Sequence, residues 1–345
     1  MTTASARFKT TLQRMGTRSS FVRLLAITVV IFATFSFLNP MVFLATSNLQ
    51  YLALSTPELA LLSLAIALTM LTGGIDLSVV AIANVAGITG AVVMINGSQS
   101  PAGVALGIVA ALGAAVFCGL VNGLLVAYLR VTPILATLGT AQLFAGLALV
   151  LTQGTVLKGL PDQFTSLATS AVAGIPVIFL VMVAVAVIVA VVLGRTALGF
   201  RMRMLGANPT AARYSGFRNE RILLTTYAMS GLIAGIAGIV ISSRASGANS
   251  DYGTSYILLG IVVAVLAGVN PDGGYITVAG VVIATLTLQS LSTGLLSLGI
   301  SSHIVNIAQG SLLIVMMALN FYGDDLARRL RPLIRPNRFD VKVAS

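Results

Sequence analysis

Charge is scarce in this chain. Of its 345 residues only 8% are charged, and just 9 of those are acidic. A soluble globular domain carries about 25% charged residues, so a soluble enzyme is excluded. Metal-binding side chains are scarcer still. The single cysteine, Cys118, lies in an apolar run and rules out an intramolecular disulfide. With one histidine, His303, and no HExxH or paired-cysteine spacing, a zinc enzyme is not supported. His303 reads instead as a polar residue at the outer start of the last span. No GxxxxGK[ST] loop is present, so the chain does not bind ATP in the Walker fashion. No Ser/His/Asp arrangement can be defended from spacing. The chain therefore reads as a non-enzyme that binds no cofactor of its own.

Apolar residues are abundant. They make up 57% of the sequence, in runs of about twenty that recur along its length. That length suits helical spans rather than barrel strands. The fold class is an all-α integral membrane protein of about ten transmembrane helices, one transmembrane domain over 1–345. The expected spans run from about Leu24 to Leu44, Tyr51 to Leu71, Leu77 to Ile95, Gly103 to Leu129, and Val131 to Leu151. They continue at about Ala171 to Leu193, Ile222 to Ser243, Tyr256 to Val269, Tyr275 to Leu298, and Ile304 to Phe321. The run from Tyr256 is only about fourteen residues, short for a full span, so it begins earlier or is partly broken. Gly231, Gly235 and Gly238 form a small-residue face that lets a neighbouring helix approach closely.

The formal net charge is +11, yet the basic residues sit in only three places. They are the amino terminus (1–23), an interior stretch (194–221) and the tail (323–345). Ten spans put all three on one side, which is the cytoplasm by the positive-inside tendency. That pattern is topological and gives no reason to invoke nucleic acid. The amino-terminal run could mimic a secretory signal. It is too long for a signal core and lacks a convincing cleavage site, so it reads as the first span.

The stretch Gly194 to Arg221 carries six arginines against Glu220. Within it Asn208 is a good N-cap, Pro209 suits the first helical position, and Gly216 can take the left-handed conformation after a helix end. A short helix from Pro209 to Ser215, outside the membrane, is expected. It is either a docking helix for a cytoplasmic partner or a connector whose arginines fix topology.

Two Gly-rich turns look alike. Leu71-Thr72-Gly73-Gly74-Ile75-Asp76 resembles Leu266-Ala267-Gly268-Val269-Asn270 followed by Asp272-Gly273-Gly274. Both lie between spans and suggest two related parallel halves, although Gly-rich turns can also agree by chance. Among the spans the polar residues are mostly neutral: Asn84, Asn122, Thr137, Thr140, Gln142, Gln289, Asn306 and Gln309. As a set they suit a path for a neutral, polyhydroxylated solute; singly, each suits helix–helix hydrogen bonding. Asp76 and Glu58 are the acidic candidates inside, both near expected boundaries, with Glu58 at the outer one.

The first of these turns and the start of the next span, Leu71-Thr72-Gly73-Gly74-Ile75-Asp76-Leu77-Ser78-Val79, resemble the TGGIDLSVG signature of sugar-type ABC importer permeases, the ribose/xylose/galactose group. Thr137-Leu138-Gly139-Thr140, Gly146-Leu147-Ala148-Leu149 and Gly194-Arg195-Thr196 are further matches. Leu205-Gly206-Ala207-Asn208-Pro209-Thr210-Ala211-Ala212-Arg213-Tyr214-Ser215-Gly216 is similar to the family's GGNxxAARxSGI cytoplasmic loop. The resemblance spans roughly Leu59 to Tyr322. It implies a permease that pairs with a second permease subunit in a bacterial inner membrane. It further implies two ATPase domains on separate chains, which hold ATP and magnesium, and a periplasmic or lipid-anchored solute-binding protein. The coupling element would then be Asn208, Pro209, Ala211, Ala212, Arg213 and Gly216, and the signature turn Thr72, Gly73, Gly74 and Asp76. Val80 stands where the family usually has glycine, and Ala145 where many members have arginine. Branched-chain amino-acid permeases and self-contained secondary carriers are the alternative readings.

Overall fold

The computed structural model describes residues 3–97, 99–312, 314–315 and 318, with 3–20 as backbone alone. The side chains of the basic amino terminus before Phe21 and the whole basic tail 323–345 lie outside the described residues. Eight helices among the described residues are long and apolar enough to cross a membrane.

The first, α1 (Thr3–Leu38), ends six residues before the expected Leu44, because Pro40 opens the one-turn helix α2 (Pro40–Phe43). Then comes α3 (Thr46–Leu71), the centre of the molecule, 94% of whose most apolar window is buried inside the protein. Pro57 removes one backbone donor inside α3, and Gln289 ties the adjoining turn by donating to the Ser55 carbonyl at 3.3 Å. Helices α4 (Val79–Asn96), α5 (Pro101–Ala127) and α6 (Pro133–Thr152) follow. Ser100 caps α5 by accepting from Gly103 N, and prolines occupy the first positions of α5 and α6.

Where the sequence suggested a loop and an early span, the chain first forms α7 (Asp162–Thr169), then a two-stranded hairpin, β1 (Ala171–Val172) with β2 (Ile175–Pro176). Ala173 and Gly174 both have positive φ, 51° and 81°, which is the left-handed pair that a two-residue hairpin turn requires. The sixth expected span therefore begins later, as α8 (Val177–Arg195). The cytoplasmic stretch holds two short helices, α9 (Ala197–Ala207) and α10 (Pro209–Tyr214). Helix α11 (Asn219–Ala245) is a full span; α12 (Tyr256–Leu266) is eleven residues, about 16 Å, roughly half of one. The run from Tyr256 is thus a broken span, ended by Ala267 and Gly268. Helix α13 (Val278–Ser297) follows, and residues 302–312 open a further helix toward the last expected span.

Helices α11, α12, α13 and α8 surround α3, while α4 and α5 pack on α11, and α1 lies against α13. The close approach is glycine-made. A Cβ on Gly231 or Gly235 would run into Ala115 of α5, so the expected small-residue face is used for packing. By contrast, only 33%, 28% and 22% of the apolar windows of α5, α6 and α8 are buried, leaving outward faces suited to lipid or a partner.

Candidate functional site

Helix α3 ends in a left-handed cap. Gly73 has φ 83°, its N–H donates to the Met70 carbonyl (2.9 Å), and Gly74 N–H donates to the Thr69 carbonyl (3.2 Å). Helix α12 ends the same way: Gly268 has φ 80°, its N–H reaches the Val265 carbonyl (2.9 Å), and Val269 N–H reaches the Ala264 carbonyl (3.1 Å). The two look-alike sequences therefore adopt one geometry, and it is the Thr72–Gly73 and Ala267–Gly268 pairs that correspond.

After its cap the signature turn folds inward. Asp76 is fully buried, rather than a solvated turn residue. Its Oδ1 accepts from the Ser78 N–H (2.9 Å) and the Ser78 hydroxyl (2.6 Å). Asn122 Nδ2 donates to Ser78 Oγ (2.7 Å) and lies 3.5 Å from Asp76 Oδ2, and the Thr140 hydroxyl donates to Asn122 Oδ1 (2.6 Å). A neighbouring tie joins Thr137: its hydroxyl accepts from Leu77 N–H at 3.2 Å and donates to the Pro133 carbonyl at 2.8 Å. One hydrogen-bonded chain thus links the turn to α5 and α6. Burial holds the Asp76 carboxyl above the usual carboxylate range, and its bonds from Ser78 and Asn122 work against that rise. Alongside, Tyr227 Oη is buried without a hydrogen-bond partner among the described residues, 2.7 Å from where a Gly74 Cβ would stand.

The second turn lies against the first. Gly274 N–H donates to the Leu71 carbonyl at 2.8 Å, and a Cβ on Gly273 would meet the Gly206 carbonyl at 2.8 Å and Gly73 N at 3.0 Å. Gly206 belongs to α9. Three glycine-bearing segments therefore meet backbone to backbone beneath α10.

Helix α10 is built as its sequence suggested. Asn208 Oδ1 accepts from Ala211 N–H (2.9 Å), Pro209 is the first helical residue, and Gly216 has φ 81°. Asn219 Nδ2 donates to the Pro209 carbonyl (3.0 Å), fastening α10 to the start of α11, and Ala212 is fully buried beneath. Arg213 and Tyr214 point outward, Tyr214 at 90% exposure. With Pro209, Thr210 and Asn219 they rim an open concavity of about 640 Å³.

The remaining polar residues are dispersed. Asn84 donates to the Ser250 carbonyl (2.6 Å), tying α4 to the loop after α11. Gln142 and Asn306 are exposed and Gln309 is half-buried. Glu58 is buried and takes part in a pair that sequence reasoning missed: its Oε1 lies 3.0 Å from Arg244 Nη1. The signal was there, since a lone acid and a lone base stood near the same expected boundary. Ser78 and Tyr227 were also missed, for a serine or tyrosine in an apolar run carries no distinguishing mark.

A family described as the branched-chain amino acid transport system / permease component matches residues 48–317. The chain belongs to this family. Within it, the chain is 31% identical over 313 residues to the autoinducer 2 import system permease protein LsrD of Escherichia coli (strain K12), covering 88% of this chain and 92% of the relative. The LsrD proteins of Shigella flexneri and Escherichia coli O157:H7 are similar to the same extent. No solved structure matches the chain. As a permease with many apolar spans it is a multi-pass membrane transport subunit.

Proposed function

We propose that this permease carries a neutral, sugar-like solute across the bacterial inner membrane as one subunit of an ATP-driven importer. It binds no cofactor itself; ATP and magnesium act on a partner ATPase chain. A solute-binding protein delivers the solute on the opposite face, and a second permease subunit, identical or related, completes the pathway. The termini and the 194–221 stretch face the cytoplasm. The similar proteins are permeases of import systems, which supports an importer rather than a self-contained carrier. The TGGIDLSV turn supports a sugar-type solute over a branched-chain amino acid.

One observation carries the coupling role. A capped, outward helix, α10, sits on α9, and α9 touches the end of α3 and the turn leading into α13 through Gly206. Closure of an ATPase against Arg213 and Tyr214 would displace α9, and the backbone junction would pass that displacement to the central helix. The role of the chain's residues in this step is positional: Asn208 and Gly216 hold the ends of α10, and buried Ala212 seats it.

The test is co-expression with the neighbouring genes, purification in mild detergent, and mass spectrometry of the proteins that accompany the permease. A co-purifying ATPase, stimulated by a sugar-loaded binding protein, is the expected outcome. In that preparation Arg213→Glu alters only the surface of α10 and should release the ATPase. An unchanged complex and unchanged uptake in Arg213→Glu would remove α10 from the coupling role. A lone permease that moves solute into liposomes without ATP would make it a carrier instead.

A further inference from the structure

At the far end of α11 from the coupling helices, about 40 Å along the axis, the chain forms a small open cleft. It lies where α11 ends, α12 begins, and α3 passes beneath. Glu58 of α3 is its buried base. Besides the ion pair with Arg244, Glu58 Oε2 accepts from the Tyr256 hydroxyl at 3.3 Å. The Arg244 guanidinium lies over the Tyr51 ring, 5.9 Å from its centroid, and its side chain is 28% exposed. Tyr252, Gly253 and Ile241 complete a lining around about 290 Å³. That is near the low end of the ~300–1,000 Å³ that holds small ligands.

Charged groups among membrane spans are costly and mark functional positions more often than structural ones. A bare interhelical tie would need no open space beside it, and this pair has some. Arg244 carries five N–H donors, of which Nη1 serves Glu58, and Tyr252 lines the same wall. Because Glu58 and Arg244 cancel, the cleft has no net charge. An anion would meet the carboxylate and a cation the guanidinium, each with its own hydration to lose. A neutral molecule bearing several hydroxyls loses least: it both donates and accepts, and its apolar face fits against tyrosine rings.

Val80 bears on size. A Cβ placed on Gly253 would stand 3.2 Å from the Tyr256 ring and 3.8 Å from Val80 Cγ1, so Val80 packs behind Gly253, outside the lining itself. It is also the position where the sugar-type signature usually has glycine. A larger residue here fills space under the turn that carries Tyr252.

We propose that this cleft is a subsite for a neutral, monosaccharide-sized polyol at the outer mouth of the permease, with Tyr252 and Arg244 as its hydrogen-bonding groups and Val80 limiting its depth. The inference rests on the transport function proposed above.

The test uses the whole importer, permease with its ATPase and binding protein, in liposomes. Uptake of radiolabelled ribose, xylose, galactose and leucine is measured together with ATP hydrolysis. In Tyr252→Phe the sugar moved per ATP hydrolysed should fall about three- to tenfold, the factor expected for one lost ligand hydrogen bond. A residue of merely structural importance would not lower that ratio selectively. In Val80→Ala the uptake of hexose relative to pentose should rise. If the wild type moves a sugar but neither variant changes these ratios, the cleft is not a subsite and the sugar-permease reading survives. If the wild type moves leucine and none of the sugars, both fall together.

Discussion

At the scale of single residues, glycine positions divide sharply by their surroundings. A methyl on Gly74 would meet Tyr227 Oη at 2.7 Å and Pro133 Cβ at 3.0 Å, whereas among the described residues nothing lies within 4 Å of one on Gly139. Gly74→Ala should therefore destabilise by about 1–3 kcal/mol. Gly139→Ala, in the exposed interior of α6, should be neutral or stabilising by up to ~1 kcal/mol. Thermal unfolding of the two variants side by side in one detergent decides it. Asp76 offers a second contrast. Its carboxyl is held above its ordinary value by burial, so the folded state binds a proton more readily than the unfolded one. Wild-type stability is then lost as pH rises from the ordinary carboxylate value towards the raised one. Asp76→Asn keeps an acceptor for Ser78 and carries no charge. The variant should gain on the wild type as pH rises to 7, and the gap should close on acidification. A gap that widens towards acid would mean the carboxylate, not the acid, is the favoured buried form.

Among elements, caps matter most where a helix is short. Helix α10 has six residues and its Asn208 side chain satisfies one of its free N–H groups. Asn208→Ala should cost about 1 kcal/mol locally, which is roughly a fivefold loss of formed helix, with no effect on insertion. ATPase retention on a column, compared between the variant and the wild type, reads it out. This helix is legible in the sequence because Asn-Pro and a following Gly each have one strong positional meaning. The broken span at Tyr256 is legible too, because its apolar run is too short. The hairpin at Ala171–Pro176 is not. Ala173 gives no sign that it will take φ 51°, and the apolar residues around it read as the start of α8. Nor is the burial of Asp76, for a carboxylate just after a glycine pair looks like any exposed turn. Its partners, Asn122 and Thr140, arrive from 46 and more positions away and only the folded bundle brings them together. The arginine-rich stretch reads as a single short helix; α9 escapes because its Thr196 cap precedes a run mixing glycine, arginine and methionine with no clear apolar period.

For the molecule as a whole, the sole cysteine is a probe of integrity. Cys118 is buried where α5 meets α11 through Gly119 and Gly231. A maleimide should leave it untouched in the folded permease and label it fully in SDS, as a mass shift would show. Partial labelling in mild detergent would mean that α5 and α11 separate without global unfolding. The same packing logic extends to the junction of Gly73, Gly206, Gly273 and Gly274. Where helices touch through side chains, those can change rotamer and soak up a small shift. Here main chain rests on main chain. In the coupling role proposed above, a joint of that kind would have no slack to take up between α9 and the central helix. A methyl on Gly206 would overlap the Leu71 carbonyl and Gly274 N, so a side chain there forces the two turns and α9 apart.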